Sequence, residues 1–360
     1  MNKKFLYVCY ASSDYYARET GISILGFLDN NTDYEPDKLF ILDYGILPHN
    51  KEKLNGIAYS YGKRIEYIDA KPLLEKIQAD FKIDNFRGSL ATYSRAFIDK
   101  LMPEYVERLL YIDSDTVVIG SVSELKDFDM GEAVMAGCVS EGFTNRIRTG
   151  DLTLYSGNKK YITCGIVLFN LCNWRKNNCF HMISSILRKK KRYPCADQTL
   201  INNSIPESLL KHIPRKYNYI FHIYNKKQEP FWMRIGGINT PEEIKEAIDN
   251  PIVIHYLGSP VNRPWYDNCK SRRADDYYRY KQLSPWNSDP LYALSEYKKS
   301  IKGLHKKLGY WIHQQEIHRS SFAFVQTISK TRKVIGEIIR KINHTMPLPS
   351  EGIEEFDNIP

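Results

Sequence analysis

Cysteine is sparse and unpaired in this 360-residue chain: seven are scattered at Cys9, Cys138, Cys164, Cys172, Cys179, Cys195 and Cys269, without a CxxC pair. An odd, dispersed set excludes a disulfide framework and a cysteine zinc site, and a reducing cytoplasm is its simplest setting. No apolar run approaches the roughly 18 residues that a membrane-spanning helix needs. The apolar stretch near the start, Phe5 to Ala11, is too short for the core of a secretory signal. It reads as a first strand. There is no internal repeat or low-complexity block, and the loop after that strand, Tyr10 to Tyr15, has neither the glycines nor the basic residues of a nucleotidyltransferase.

With 42% hydrophobic and 26% charged residues, the composition is that of a soluble globular protein able to bury one large domain with an appendage. The formal charge of +9 is unevenly spread: eleven Lys and Arg stand against three Glu between Glu296 and His344. A basic domain can mark nucleic acid. Here the excess is confined to one segment whose apolar residues, among them Leu304, Leu308, Trp311 and Ile312, recur at helical spacing. An amphipathic helix packed on its own domain has this pattern, and so does a peripheral anchor on an anionic membrane surface. The reading excludes nucleic acid and keeps the membrane surface as a partner.

Strand and helix patterns alternate from the start. Lys4 to Tyr10, Leu39 to Asp43, Ile65 to Ile68 and Leu109 to Ile112 read as strands. Ala17 to Leu28, Asn50 to Tyr61 and Ser94 to Leu101 read as helices. Alternation of this kind predicts an α/β domain with a largely parallel sheet. Val134 to Val139 and Ile162 to Leu171 follow as strands around a polar segment, Ser140 to Lys160, expected to be an active-site loop. Asn177 to Lys191 reads as a helix, and Pro251 to Leu257 as a last strand of the core. The predicted organisation is a catalytic domain over 1–285, a basic amphipathic helical extension over 286–345, and an acidic flexible tail over 346–360.

Four segments carry chemistry. Asp113-Ser114-Asp115 ends an apolar strand, where open α/β sheets bind ligands, and paired carboxylates suit Mg²⁺ or Mn²⁺ with a diphosphate. A solvated acidic turn has the same pattern. Thr163-Cys164-Gly165 opens a long apolar strand whose glycine permits close approach of a ligand or another backbone. Asp197-Gln198 begins a helix, where Asp197 serves either as an N-cap or, with Gln198, as a hydrogen-bonding partner of a sugar. His255 ends a strand before a turn with Gly258 and Arg263. Its imidazole can complete a site begun by two carboxylates, and Arg263 can pair with a phosphate.

In type and order these segments resemble the retaining glycosyltransferases of family 8, the group of bacterial lipopolysaccharide galactosyl- and glucosyltransferases and of glycogenin. The resemblance runs from about Phe5 to Trp265. It implies a GT-A type nucleotide-sugar-binding fold, a Rossmann-like, mostly parallel mixed sheet flanked by helices, and a UDP-sugar donor with a glycan or glycolipid acceptor. By that resemblance Asp113, Asp115 and His255 are the metal ligands, usually for Mn²⁺, and Arg95 contacts the donor. Asp197 and Gln198 lie at the reaction centre. Ala11, Ser12, Asp14 and Tyr15 hold the uridine, Ser114 lies between the ligands, and Thr163, Cys164 and Gly165 border the donor sugar. Gly258 and Arg263 form the phosphate-binding turn, with Arg in place of the family's Lys. Thr163-Cys164-Gly165 stands where the family has Asn-Ala-Gly, and Ser12 and Ser13 precede Asp14 where it often has an acidic pair.

The expected activity is transfer of glucose or galactose, with retention, to a cell-envelope acceptor in the cytoplasm or on the inner face of the membrane. Same-face attack is the expected route, because no second carboxylate stands opposite the metal ligands and the Gln198 amide is a poor nucleophile. The competing readings are a nucleotidyltransferase, which also uses carboxylates and Mg²⁺, and a non-catalytic carbohydrate- or membrane-binding protein built on the same fold.

Overall fold

The structure is a computed structural model that describes residues 5–83, 90–189, 193, 195–220, 238–258 and 260–293. Nine strands are described: β1 (Leu6–Ser12), β2 (Lys38–Asp43), β3 (Arg64–Asp69), β4 (Arg108–Ile112), β5 (Thr116–Val118), β6 (Met135–Val139), β7 (Ile162–Asn170), β8 (Leu210–His212) and β9 (Val253–His255). The ten described α-helices are α1 (Ala17–Asn30), α2 (Pro48–Ser60), α3 (Lys71–Phe81), α4 (Ile98–Leu101), α5 (Glu141–Arg148), α6 (Leu171–Lys176), α7 (Cys179–Lys189), α8 (Ala196–Ser204), α9 (Pro241–Asp249) and α10 (Ala274–Leu283).

Seven strands form one sheet in the order β3-β2-β1-β4-β7-β6-β8. The pairs β1–β2, β2–β3, β1–β4 and β6–β8 are parallel, and β7 runs antiparallel to both β4 and β6. This is the mixed, mostly parallel GT-A type sheet that the resemblance implies. Both faces are covered, so side chains alternate between two cores. Val8, Tyr10, Leu110 and Ile112 point into the core shared with α1, α2 and α10. Cys9, Phe40, Leu109 and Tyr111 point into the one shared with α3, α7 and α8.

The chain leaves β1 outward through β2 and β3, then returns to place β4 on the other side of β1. The order of strands reverses there, and the crevice beyond the carboxyl ends of β1 and β4 is where such sheets take ligands. Ser12 and Asp113 lie at that crevice. Because β7 is antiparallel, its first residues reach the same edge, and Asp113 N donates to Gly165 O at 2.8 Å.

Local signals explain several element ends. Pro48 opens α2, where its missing N–H has no partner to lose. Thr240 and Glu243 form a reciprocal capping box on α9, and Asn170 caps α6.

Three expectations change. The segment around Val253–His255 does not join the main sheet; it forms a separate two-stranded ribbon with β5. Ser94 to Leu101 splits into a 3₁₀ stretch, Ala91–Phe97, and the single turn α4. The polar segment 140–160 contains helix α5, whose first turn is capped by the Ser140 hydroxyl. Packing also continues past 285: Trp286 is buried and donates from Nε1 to Asn50 Oδ1 at 3.2 Å. The basic extension beyond 293 and the acidic tail lie outside the described residues.

Candidate active site

β5 begins directly after Asp115 and pairs with β9 so that Thr116 faces His255. Tyr256 N closes the ribbon on Asp115 O at 2.9 Å. A slip of one residue would turn His255 to the opposite face. In the observed register its Nε2 lies 2.9 Å from Asp115 Oδ1 and 3.8 Å from Asp113 Oδ2. One ligand atom from each of the three residues lies within 4.8 Å of the others. Two carboxylates and an imidazole are a donor set for a divalent ion such as Mn²⁺ or Mg²⁺.

Gly165 makes room for this arrangement. A side-chain carbon there would fall 2.6 Å from His255 Nδ1 and 3.3 Å from Asp113 Oδ2. The close approach read from sequence is therefore that of the imidazole ring.

Arg95 ties the Asp113 carboxylate to the neighbouring helix. Its Nε and Nη2 donate to the two oxygens of Asp197 at 2.6 and 3.0 Å, and its Nη1 donates to Asp113 Oδ1 at 2.8 Å and to the Cys164 carbonyl at 2.5 Å. A rigid guanidinium fork suits this role. Burial pushes the Asp197 carboxyl up to about 6, although Arg95 pulls the other way. Burial likewise raises the Asp113 carboxyl against Arg95. At Asp115 burial also acts upward, but His255 and Arg263 outweigh it and the carboxyl lies below its ordinary value.

α8 presents Asp197 and Gln198 from a left-handed first residue, Ala196, at φ 43°. That conformation costs a non-glycine residue about 1–3 kcal/mol. The Gln198 side chain is fixed as well: Cys164 N donates to its Oε1 at 3.0 Å, and its Nε2 lies 3.4 Å from the Tyr161 hydroxyl. Arg263 is buried, with Nη2 3.9 Å from Asp115 Oδ2 and Nη1 3.3 Å from the Tyr16 hydroxyl. It follows a turn in which Gly258 adopts φ 89°, a conformation open to glycine.

The first loop differs from expectation in what its side chains do. The Ser12 and Ser114 hydroxyls are turned into a buried cluster in which Thr20 Oγ1 lies 2.8 Å from each. Ser114 donates to the Ala11 carbonyl at 2.6 Å and so ties the end of β4 to the end of β1, while the Ser12 hydroxyl donates to the Ser13 carbonyl at 3.0 Å. Asp14 Oδ1 accepts from Leu47 N and from the Asn50 amide, each at 2.8 Å, and anchors the start of α2. Tyr15 is 42% exposed and stacks on Tyr292 at 5.7 Å between ring centres. The Thr163 hydroxyl is buried, accepting from Asn218 Nδ2 at 2.9 Å and donating to the Cys138 carbonyl at 3.1 Å.

The model of glycosyl transferase family 8 matches residues 7–269. The chain belongs to that family. As a family 8 transferase it is 25% identical over 289 residues to general stress protein A of Bacillus subtilis, covering 79% of this chain and 96% of that one. It is 26% identical over 302 residues to a lipopolysaccharide 1,2-glucosyltransferase of Escherichia coli, covering 82% and 81%. Among solved structures, the galactosyltransferase LgtC in complex with donor and acceptor sugar analogues shares the fold at a TM-score of 0.64 and 22% identity, over 78% of this chain and 96% of that one. The bifunctional glycosyltransferase WbbM shares it at a TM-score of 0.65 and 21% identity, over 80% of this chain and 51% of that longer one. Family membership makes the protein a glycosyltransferase and sets aside the nucleotidyltransferase reading.

Sequence reasoning passed over Thr20, Tyr292 and Asn218. Thr20 lies inside a helix that reads as ordinary core, and Tyr292 lies beyond the expected domain end. Asn218 ends a short 3₁₀ turn, Arg215–Asn218, with no periodic pattern around it.

Proposed function

We propose that this family 8 transferase is a retaining hexosyltransferase that moves glucose or galactose from a UDP-sugar to a cell-envelope glycan or glycolipid. In this reading Asp113, Asp115 and His255 hold Mn²⁺. The carrying observation is the convergence of these three side chains, two from the turn between β4 and β5 and one from β9, at the sheet's switch point. The glucosyltransferase activity named for the Escherichia coli relative supports the hexose and the envelope acceptor.

A divalent cation at this site supplies positive charge for a departing diphosphate. The protein's own groups do the rest. Arg263, beside Asp115, adds a fixed positive charge on the diphosphate side, where preorganised electrostatics lower the barrier most. Arg95 holds Asp197 and Asp113 in one frame, so the sugar-binding and diphosphate-binding sides keep a constant spacing. Asp197 is 1% exposed and both of its oxygens accept from Arg95, a poor state for a nucleophile. This favours same-face attack over a covalent glycosyl intermediate. Gln198, pinned by Cys164 N, keeps a second lone pair on Oε1 for the developing positive charge. The basic segment 296–344 fits an anionic inner-membrane surface, where each basic residue contributes roughly 1 kcal/mol.

The test is sugar transfer, or donor hydrolysis, by purified protein with UDP-glucose and UDP-galactose. Excess EDTA abolishes turnover and added Mn²⁺ restores it. Asp113→Ala or Asp115→Ala lowers kcat/KM at least 100-fold, about 2.7 kcal/mol of barrier. Full transfer in excess EDTA overturns the metal assignment, and a glycosyl adduct trapped on Asp197 overturns the same-face route.

A further inference from the structure

His255 is 2% exposed, so neither ring nitrogen has its hydrogen-bonding settled by solvent. Nε2 faces the carboxylates of Asp113 and Asp115, while Nδ1 lies 2.9 Å from Asn218 Oδ1. Which nitrogen carries the proton decides whether the residue can offer a lone pair to a cation.

The groups beyond Asn218 answer this in sequence. The Cys138 carbonyl can only accept, so the single hydroxyl proton of Thr163 goes to it, across 3.1 Å. The Thr163 oxygen is then an acceptor, and the group facing it at 2.9 Å is Asn218 Nδ2, a donor. That orientation turns Asn218 Oδ1 toward His255. An amide oxygen only accepts, so Nδ1 carries an N–H toward Asn218, and Nε2 is the ring nitrogen turned to the two carboxylates and open to a cation between them.

We infer that Asn218 and Thr163 are positioning residues that fix the tautomer and ring direction of His255 for cation binding. The inference rests on the metal reading above and extends it to two residues outside the Asp113, Asp115 and His255 set. A ligating imidazole commonly gives its other N–H to a carboxylate or a carbonyl. In this chain the acceptor is a neutral amide, itself oriented by a hydroxyl. A carboxylate at position 218 would have no proton for Thr163 and would add a third negative charge beside Asp113 and Asp115. The threonine at 163, where the resemblance would place an asparagine, thereby acquires a reason that does not involve the sugar: it supplies one acceptor and one donor along a line from Asn218 to Cys138.

The experiment is titration of the purified full chain with Mn²⁺ alone, following free ion by its EPR signal, with the thermal midpoint in EDTA measured for every variant. Asp115→Ala abolishes binding. Thr163→Val, which keeps the shape and removes the hydroxyl, and Asn218→Leu each weaken Mn²⁺ affinity about 10- to 100-fold. Thr163→Ser, which restores the hydroxyl, recovers affinity to within about threefold. Affinity unchanged in Thr163→Val, or a loss in Thr163→Ser as large as in Thr163→Val, overturns the relay. Absence of binding by the wild-type chain, or wild-type affinity in Asp115→Ala, overturns the metal reading and the relay with it. Loss in Asp115→Ala with no change in Thr163→Val or Asn218→Leu removes the relay alone. If Thr163→Val has a collapsed midpoint, the comparison of Thr163→Ser with wild type decides.

Discussion

Asp197 sits at the point where burial and an ion pair oppose each other. Its carboxyl is pushed up to about 6 by burial, against the pull of Arg95. Below that pH the residue gains a proton and becomes neutral, and Arg95 keeps Asp113 as its remaining anionic partner in the frame. Turnover therefore falls as pH drops through about 6. A pH profile of kcat/KM checks this: the wild-type chain has an acid limb near 6, and that limb is missing from the residual activity of Asp197→Asn. At this scale the chemistry was largely legible. Two carboxylates after an apolar strand, an Asp-Gln pair at a helix start and a strand-end histidine are recognisable by residue type. The direction of a hydroxyl was not. The resemblance placed Ser12, Ser114 and Thr163 at the donor, whereas each hydroxyl is buried on a protein carbonyl, since a buried hydroxyl must find a partner.

Among the elements, the join between β7 and the β5–β9 ribbon carries the site. The His255 ring occupies the space that a side chain at Gly165 would take, and both neighbours are buried. Gly165→Ala therefore displaces the imidazole. Mn²⁺ affinity falls at least 10-fold while the circular dichroism spectrum stays native, and a thermal-shift titration with Mn²⁺ reads the difference. Six of the seven strands of the main sheet were legible because they are long enough to show against the helices between them, while the three-residue β8 was not. β5 has three residues, too few to show a period, and β9, readable as a strand, gave no sign that its partner is β5 and not the main sheet, because that pairing runs across the fold. Asn218 escaped for a similar reason, as the last residue of a four-residue 3₁₀ turn.

For the whole molecule, the segment after α10 is part of the catalytic body. Lys281 Nζ donates to the carbonyls of Trp286 and Asn287 at 3.1 and 2.9 Å, Arg18 Nη1 donates to the Pro290 carbonyl at 2.9 Å, and Tyr292 stacks on Tyr15. Truncation of the buried Trp286 side chain in Trp286→Ala costs about 3–5 kcal/mol, measured by urea unfolding. A chain ended after Ala293 keeps wild-type stability and loses binding to anionic vesicles. A chain ended after Pro285 loses stability too, so vesicle binding by that shorter form would say nothing about the extension.

Asp115 and His255 are separated by 140 positions in sequence yet lie 2.9 Å apart. An ion between them would be a staple across about half of the catalytic body, and the unfolded chain has no equivalent place for it. Saturation at 100 times the dissociation constant favours the native state by about 2.7 kcal/mol. Cellular metal supply would then govern how long each molecule survives proteolysis, apart from how fast it turns over.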